Sequence, residues 1–466
     1  MFKLDNNNIT RSYFKYILIL TTNMQFVPIE LYQLVLNTLN LKSQINLLST
    51  IPILYNNLYI LELPVCKIND IILEQKKFSR LRIIDASKTS IFDDRCQISN
   101  YTIKKFNLLK LKLNDNKKIN NIGHMSNLKT LYIANNVVRQ KDIATLNLIK
   151  LFAKNNSKIH DVSHMSNLKK LNASGSSGIN QKGIYGIDLI KLNVSYNNKI
   201  TDISFMTNLK TLYVAHPFFD YTFTNICQRS IDKLNLKVLY ANNNKDIYNL
   251  SHMTNLKILC INNSDSGNGY YIYKLADKSK IDQNEIKKLD LSILNISNNP
   301  TIVDVSHMSN LRYLYADNDS GVDQNGIRNL NLELLSVSNN PNIIDVSHMR
   351  RLKYLYANGI SGINLCGIQS LELLSVSNNK NIVDVSYMLG LKCLYAEGDC
   401  GIDNNGIRNL KLVELHIKNN EKISKVSHIT TLKILDCSYN YITRDEIKYL
   451  ALVPPCSKYY LPCCCD

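Results

Sequence analysis

No phosphate-binding loop, nucleophile elbow, paired-histidine zinc-peptidase motif or dinucleotide-binding glycine fingerprint occurs in the 466 residues, so the common routes to catalysis leave no trace. Long apolar runs are missing as well. The stretch from Tyr16 to Leu20 is far too short to span a bilayer, and no small-residue cleavage site follows it. The twelve cysteines form no disulfide framework, because eight are scattered while Cys456, Cys463, Cys464 and Cys465 crowd the last eleven residues. Tryptophan is absent and Asn, Ile, Lys and Tyr are heavily used, a bias of composition that carries no functional weight. The expectation is an intracellular, soluble protein that is not an enzyme and needs no cofactor.

Acidic residues are the scarcer sign, 38 Asp and Glu against 55 Lys and Arg, and the resulting +17 favours acidic partners without choosing among protein, nucleic acid and anionic lipid. Hydrophobic residues make up 45% and charged ones 20%, which supports a folded chain and excludes wholesale disorder.

Leucines recur at 81, 108, 128, 148, 168, 189, 209, 236, 256, 291, 311, 332, 352, 371, 391, 412 and 432, most of them 19 to 21 residues apart. All but Leu81, which has Ile84 at the fourth position, open the pattern L-x-x-L-x-[LVIAC], as in Leu332 to Val337 and Leu352 to Ala357. Asn often follows at the ninth position: 116, 136, 156, 197, 244, 299, 340, 379, 420 and 440. On a short strand alternate residues point to opposite sides, so Leu355 and Ala357 are expected inside while Tyr354, Tyr356 and Asn358 face out. One turn cannot bury its own leucines, whereas stacked turns share a core, with the inward Asn satisfying backbone groups at the strand exit. Two kinds of turn alternate, giving a second period of about forty residues. Three steps are long, from Leu81, Leu209 and Leu256, and their extra residues must loop out, the largest loop running from Ser264 to Gln283.

This pattern resembles the leucine-rich repeat, and turns such as Asn197 to Ser204 resemble the short internalin and SDS22-like class. The resemblance implies an α/β-type repeat solenoid, a horseshoe or arc with a parallel concave β-sheet, tight convex turns and little regular helix.

Ahead of the repeats, Phe26-Val-Pro-Ile-Glu-Leu31 leads into apolar positions spaced by three and four, which predicts two short amphipathic helices broken near residues 40 to 43. The segment resembles an F-box. That resemblance implies that Val27, Pro28, Leu31, Val35, Leu39, Leu47 and Ile51 form a docking face for a Skp1-type adaptor, or the small core behind it. A helical cap on the open end of the solenoid is the alternative. The combination of F-box and repeats is similar to proteins encoded by giant DNA viruses of amoebae, which would place the chain in the cytoplasm of a host cell.

Outward strand positions carry Lys110, Lys112, Lys150, Lys154, Lys170 and Lys191 early in the chain. Later they carry Tyr313, Tyr315, Tyr354, Tyr356 and Tyr395, interleaved with Ser336, Ser338, Ser375 and Ser377. Tyrosine gives large contact area at low entropy cost, so this patch is a candidate protein-binding face; packing of tyrosines along adjacent strands is the other reading. A rim of Lys129, Lys169, Lys210, Lys257, Arg312, Lys353, Lys392 and Lys433 has the spacing to track phosphates but fits an ordinary solvated edge, and no nucleic-acid-binding module is present. His124, His164, His252, His307, His348 and His428 recur one double turn apart, about 10 Å, too far to share one metal, which implies capping or turn packing.

The organisation expected is an N-terminal extension over 1–25, with Met24 a candidate native start, an F-box-like segment or cap over 26–65, a solenoid over 66–450 and a Cys-rich tail over 451–466. The tail lacks a prenylation box and is expected to be unmodified. The function read from the sequence is substrate recognition for an SCF-type ubiquitin ligase. A non-enzymatic scaffold or inhibitor that binds a host protein is the alternative.

Overall fold

The computed structural model describes Gln33 and residues 36–50, 59–63, 68–69, 73, 78–88, 96–217, 225–263 and 279–452. The chain divides into two compact units, residues 1–193 and 194–466. In the first unit, β1 (Glu62–Leu63) pairs with β3 (Ile83–Asp85), and β2 (Ile68–Asn69) pairs separately with β4 (Cys96–Gln97). The main sheet continues through β5 (Lys110–Lys112), β6 (Thr130–Tyr132), β7 (Lys150–Phe152), β8 (Lys170–Asn172) and β9 (Lys191–Asn193), every pair parallel.

The second unit repeats this arrangement. It holds β10 (Thr211–Tyr213), β11 (Val238–Tyr240), β12 (Ile258–Cys260), β13 (Ile293–Asn295), β14 (Tyr313–Tyr315), β15 (Leu334–Ser336), β16 (Tyr354–Tyr356), β17 (Leu373–Ser375), β18 (Cys393–Tyr395), β19 (Glu414–His416) and β20 (Ile434–Asp436), each parallel to the next.

The packing follows from the repeat. None of the seventeen recurring leucines is more than 4% exposed. The second residue of the strands is buried too, as at Leu111, Leu314, Leu355 and Leu394. Each buried leucine contributes roughly 1.5–3 kcal/mol of transfer free energy, which a single turn could not collect alone.

The inward Asn holds successive turns together. Asn340 is fully buried: its amide donates to Ala316 O (2.9 Å) and Val322 O (3.2 Å), while its oxygen accepts from Asn342 N (3.0 Å). Asn379 and Asn420 repeat this pattern on Ala357 O and Ala396 O, both at 2.8 Å, and Asn116 does so on Ala86 O in the first unit. One residue earlier the backbone turns left-handed, at Asn135, Asn155, Asn298, Asn339, Asn378 and Asn419 among others, a conformation that Asn tolerates better than most side chains. Tyr196 and Tyr439 occupy the same station at φ 61° and 59°.

The alternate kind of turn carries glycine where chains approach closely. A Cβ at Gly321 would lie 2.4 Å from Pro300 O, and one at Gly401 would lie 2.5 Å from Lys380 O. Between strands, helical segments among the described residues are three or four residues long, as at Asn100–Ile103, Gln140–Ile143 and Asn325–Ile327, in keeping with tight turns.

The one longer helix described, α1 (Leu41–Thr50), follows helical residues 36–38 after a break at residues 39–40, close to the break expected near residues 40 to 43. Asn40 Oδ1 accepts from Ser43 N (3.0 Å) and so caps a helix that already contains residues 41 to 43. The sheet also begins earlier than the leucine pattern: Leu63 aligns with Ile84, and Ile60 is fully buried where later turns place their first leucine.

Candidate functional site

Side chains at the first and third strand positions leave the core and form the exposed face of each sheet. In the first unit the register places Lys110, Thr130, Lys150, Lys170 and Lys191 side by side. Lys112 is committed within this face. Its ammonium pairs with Asp85 at 2.8 Å, and that hydrogen bond raises its pKa above the ordinary lysine value. Beside it Tyr132 and Phe152 stack with centroids 4.2 Å apart, so this basic face carries an aromatic plate.

In the second unit the third strand positions read Tyr315, Ser336, Tyr356, Ser375, Tyr395 in consecutive strands. A serine therefore separates each tyrosine from the next. Ser336 and Ser375 are buried: the Ser336 hydroxyl donates to Asp317 Oδ1 and that of Ser375 to Asn358 Oδ1. Ser338 and Ser377 send their backbone N–H groups to the same two acceptors. The serines act as spacers that hold the platform, and the tyrosines are its accessible part. Tyr356 and Tyr395 are half-buried, and desolvation pushes both phenols well above their ordinary pKa, so they stay neutral hydrogen-bonding groups. Tyr313 and Tyr354 take first positions on β14 and β16, and the Tyr313 hydroxyl contacts Glu333 at 3.3 Å.

Along the rim of this unit three cations, Arg312, Lys353 and Lys392, meet acids. Arg312 pairs with Glu333, and Glu372 takes Lys392 (2.8 Å) and Lys353 (3.5 Å), the Lys392 contact lowering the Glu372 pKa. At these three stations the pairing weakens the rim as a track for phosphates.

The recurring histidines cap neighbouring turns. Nε2 of His124, His164, His252, His307 and His428 lies within hydrogen-bond reach of the carbonyls of Phe106, Ile143, Ile231, Ile286 and Ile407 respectively. Tyr387 replaces histidine at one such station and donates its hydroxyl to Leu365 O (3.0 Å).

Sequence reasoning missed two groups. Gln140, Gln228, Gln283 and Gln324 bolt turns together; Gln324 accepts from Ile344 N and Asp345 N and donates to Asp345 O. The second group is a cluster of potential metal ligands, Cys393, Glu397, Glu414, His416 and Asp436, on β18 to β20 and the strand exits. Its sequence signal is a spacing of 20 to 21 residues, which strand register converts into adjacency. Burial pushes the Cys393 thiol up to about 12 and raises the Glu397 carboxyl above its ordinary value.

Of the F-box-like positions, Val27, Pro28, Leu31, Val35 and Ile51 lie outside the described residues, and Leu47 sits in α1 with its side chain not described. Leu39 is buried together with Leu36 and Leu48. The Gln33 side chain donates to Tyr59 O (2.9 Å) and accepts from Tyr59 N (3.0 Å), tying this segment to the start of the sheet. A groove of about 520 Å³ nearby, flanked by Tyr59, Arg80, Arg82 and Lys105, has no carboxylate, histidine or cysteine in its lining. The tail cysteines and residues 264–278 also lie outside the described residues. Among the described residues no helix is long and apolar enough to cross a membrane.

Stacked short strands, most of them burying a central leucine and many closed by an inward Asn, define a leucine-rich-repeat solenoid built on parallel sheet. No family model and no curated protein matches the chain. Solved structures of similar fold include TLR13 in its complex with ssRNA13, at 17% identity and TM-score 0.48, covering 85% of this chain and 64% of that one. A leucine-rich-repeat protein of Leptospira interrogans shows 17% identity and TM-score 0.35, covering 85% of this chain and 96% of its own. The functional domain of InlJ from Listeria monocytogenes shows 20% identity and TM-score 0.28, with coverages of 80% and 66%. The chain thus spans just under two-thirds of the TLR13 chain.

Proposed function

We propose that the chain is a protein-interaction repeat protein whose strand face, centred on Tyr313, Tyr315, Tyr354, Tyr356 and Tyr395, holds a protein partner. The observation that carries this reading is the platform itself. Alternate strands present tyrosines, and Ser336 and Ser375, pinned to Asp317 and Asn358, stand on the strands between them. Such a surface loses little side-chain entropy on binding and offers aromatic anchors. The basic face around Lys110 and Lys150 would add attraction to an acidic partner and set the encounter rate more than the affinity.

The finer reading is a substrate-recognition adaptor for an SCF-type ubiquitin ligase, intracellular, with residues 26–65 as the hook for a Skp1-type adaptor ahead of a solenoid over 66–450. Its support is the sequence resemblance at Val27, Pro28 and Leu31. Co-purification of the intact chain with a Skp1-type protein, lost on Pro28→Ala with Leu31→Ala, is the expected result; no association of the intact chain removes the adaptor role.

A scaffold with a terminal helical cap is favoured by a separate observation, the burial of Leu36, Leu39 and Leu48 together with the Gln33 to Tyr59 bonds. In that case deleting residues 26–60 destabilises the first repeats and leaves the partners unchanged. For the face, Tyr356→Ala with Tyr395→Ala should weaken capture of the partner recovered by the intact chain at least tenfold, and undiminished capture moves the interface elsewhere.

A further inference from the structure

The second unit contains two successive double turns built to one plan. Tyr313, Tyr315 and Asp317 are followed in the next strand by Leu334, Ser336 and Ser338; Tyr354, Tyr356 and Asn358 are followed by Leu373, Ser375 and Ser377. The third double turn keeps the buried leucines and departs from the plan on its outward face. Cys393 stands where tyrosine stood, Glu414 replaces leucine, His416 replaces serine and Lys418 replaces the second serine. The fold does not need these changes, since the same strands form without them twice over.

The replaced side chains meet. The Cys393 thiol points at Glu414 Oε2 over 3.7 Å, and His416 Nε2 lies 3.9 Å from the same oxygen. His416 Nε2 is shielded from solvent and has no hydrogen-bond partner, in contrast to the capping histidines elsewhere in the chain. A buried polar atom without a partner costs free energy and points to a missing ligand. The ring is fixed in place by stacking on Tyr395, centroids 4.3 Å apart.

We propose that Cys393, Glu414 and His416 bind a divalent transition-metal ion of the Zn²⁺ class. Bond lengths of about 2.0–2.3 Å in a tetrahedral site set donor-to-donor separations of about 3.3–3.5 Å, which the two contacts to Glu414 approach, and all three donors lie within 4.8 Å of one another. Sulfur with imidazole and carboxylate suits Zn²⁺, Co²⁺ or Ni²⁺ and disfavours Ca²⁺ and Mg²⁺, which take oxygen. Binding replaces the thiol proton, which leaves to solvent, with an S–metal bond. Three protein donors leave a fourth position for water or for a donor supplied by a bound partner. A second donor set, Glu397, His416 and Asp436, shares the same histidine and competes with this assignment.

The test uses the full chain with Cys456, Cys463, Cys464 and Cys465 changed to Ser, so that tail thiols do not contribute. Titration with Co²⁺ should give one equivalent with a thiolate-to-metal charge-transfer band and the visible bands of a four-coordinate ion. Cys393→Ser should abolish the charge-transfer band, and His416→Gln should weaken binding at least ~10-fold, the loss that outer-shell partners alone can cause. The triple variant Cys393→Tyr, Glu414→Leu, His416→Ser restores the plan of the preceding double turns. It should fold with an unchanged far-ultraviolet spectrum, and Zn²⁺ should raise the melting temperature of the parent and not of this variant. Absence of the charge-transfer band in the parent, or its survival in Cys393→Ser, overturns the site. Loss of binding in Asp436→Asn with retention in Cys393→Ser overturns this ligand set.

Discussion

The Ser336 hydroxyl donates to Asp317 Oδ1 over 2.6 Å, and one double turn later the Ser375 hydroxyl makes the equivalent bond to Asn358 Oδ1 over 2.8 Å. One station thus carries an acid in one copy and an amide in the next, with the same donors around both.

Asp317 is part-buried, and desolvation raises its pKa although bonds from Ser336, Ser338 and Ser297 pull it down. The folded protein therefore holds this proton more tightly than the unfolded chain does. The resulting stability is present below the ordinary carboxylate pKa of 3.8 and is lost as pH rises through the folded value. Asp317→Asn keeps the acceptor and can reverse the Ser297 contact, as Asn358 already does in donating to Ser338 Oγ (3.2 Å). The variant should melt higher than the parent at neutral pH, with the advantage shrinking as pH falls toward the carboxylate range. Melting curves across pH check the sign, and a variant less stable at pH 7 contradicts it.

Asn340→Ala strips the buried partner from Ala316 O and Val322 O and removes the acceptor of the part-buried Asn342 N–H. The expected loss is about 3 kcal/mol, read from the shift in denaturant midpoint. Hydrogen exchange should show the loss concentrated in turns adjoining β14 and β15, because repeat arrays couple mainly to their neighbours.

Tyr439 sits at φ 59° with its side chain 82% exposed, so it bears left-handed strain and packs little surface in return. Tyr439→Asn, the residue found at most equivalent stations, should stabilise the last described turn by about 0.5–1 kcal/mol. Slower proteolysis after β20 would register the gain.

Gly401→Ala drives a Cβ to within 2.5 Å of Lys380 O and 2.6 Å of Ile382 O, whereas a Cβ at Gly390 meets its nearest atoms at 3.8 Å. The first substitution should cost at least about 2 kcal/mol and the second almost nothing. Side-by-side thermal melts of the two single variants measure the contrast.

The leucine and Asn stations were readable from the chain alone, because a core shared between turns demands the same residue type at each recurrence, and Leu355 and Asn340 meet that demand identically. β1 escaped notice because Ile60 stands in for the first leucine and no Asn follows it. Asn40 reads as part of a break in the sequence, yet its oxygen caps α1, a role visible only once Ser43 N is placed. Ser336 and Ser375 looked like contact groups, since strand alternation gives direction without depth. The meeting of Cys393, Glu414 and His416 was hidden for a different reason. Cys393 and Glu414, 21 residues apart in sequence, touch only through strand register, and no recurring motif marks them.

Gly321 and Gly401 exist to let one kind of turn lie close against the other kind before it. Removing a single turn would set two turns of one kind in contact and misplace these approaches, while removing a pair restores the fit. Growth and shrinkage of this chain by duplication or loss should therefore proceed in increments of about forty residues, and natural variants differing by one turn should be rare.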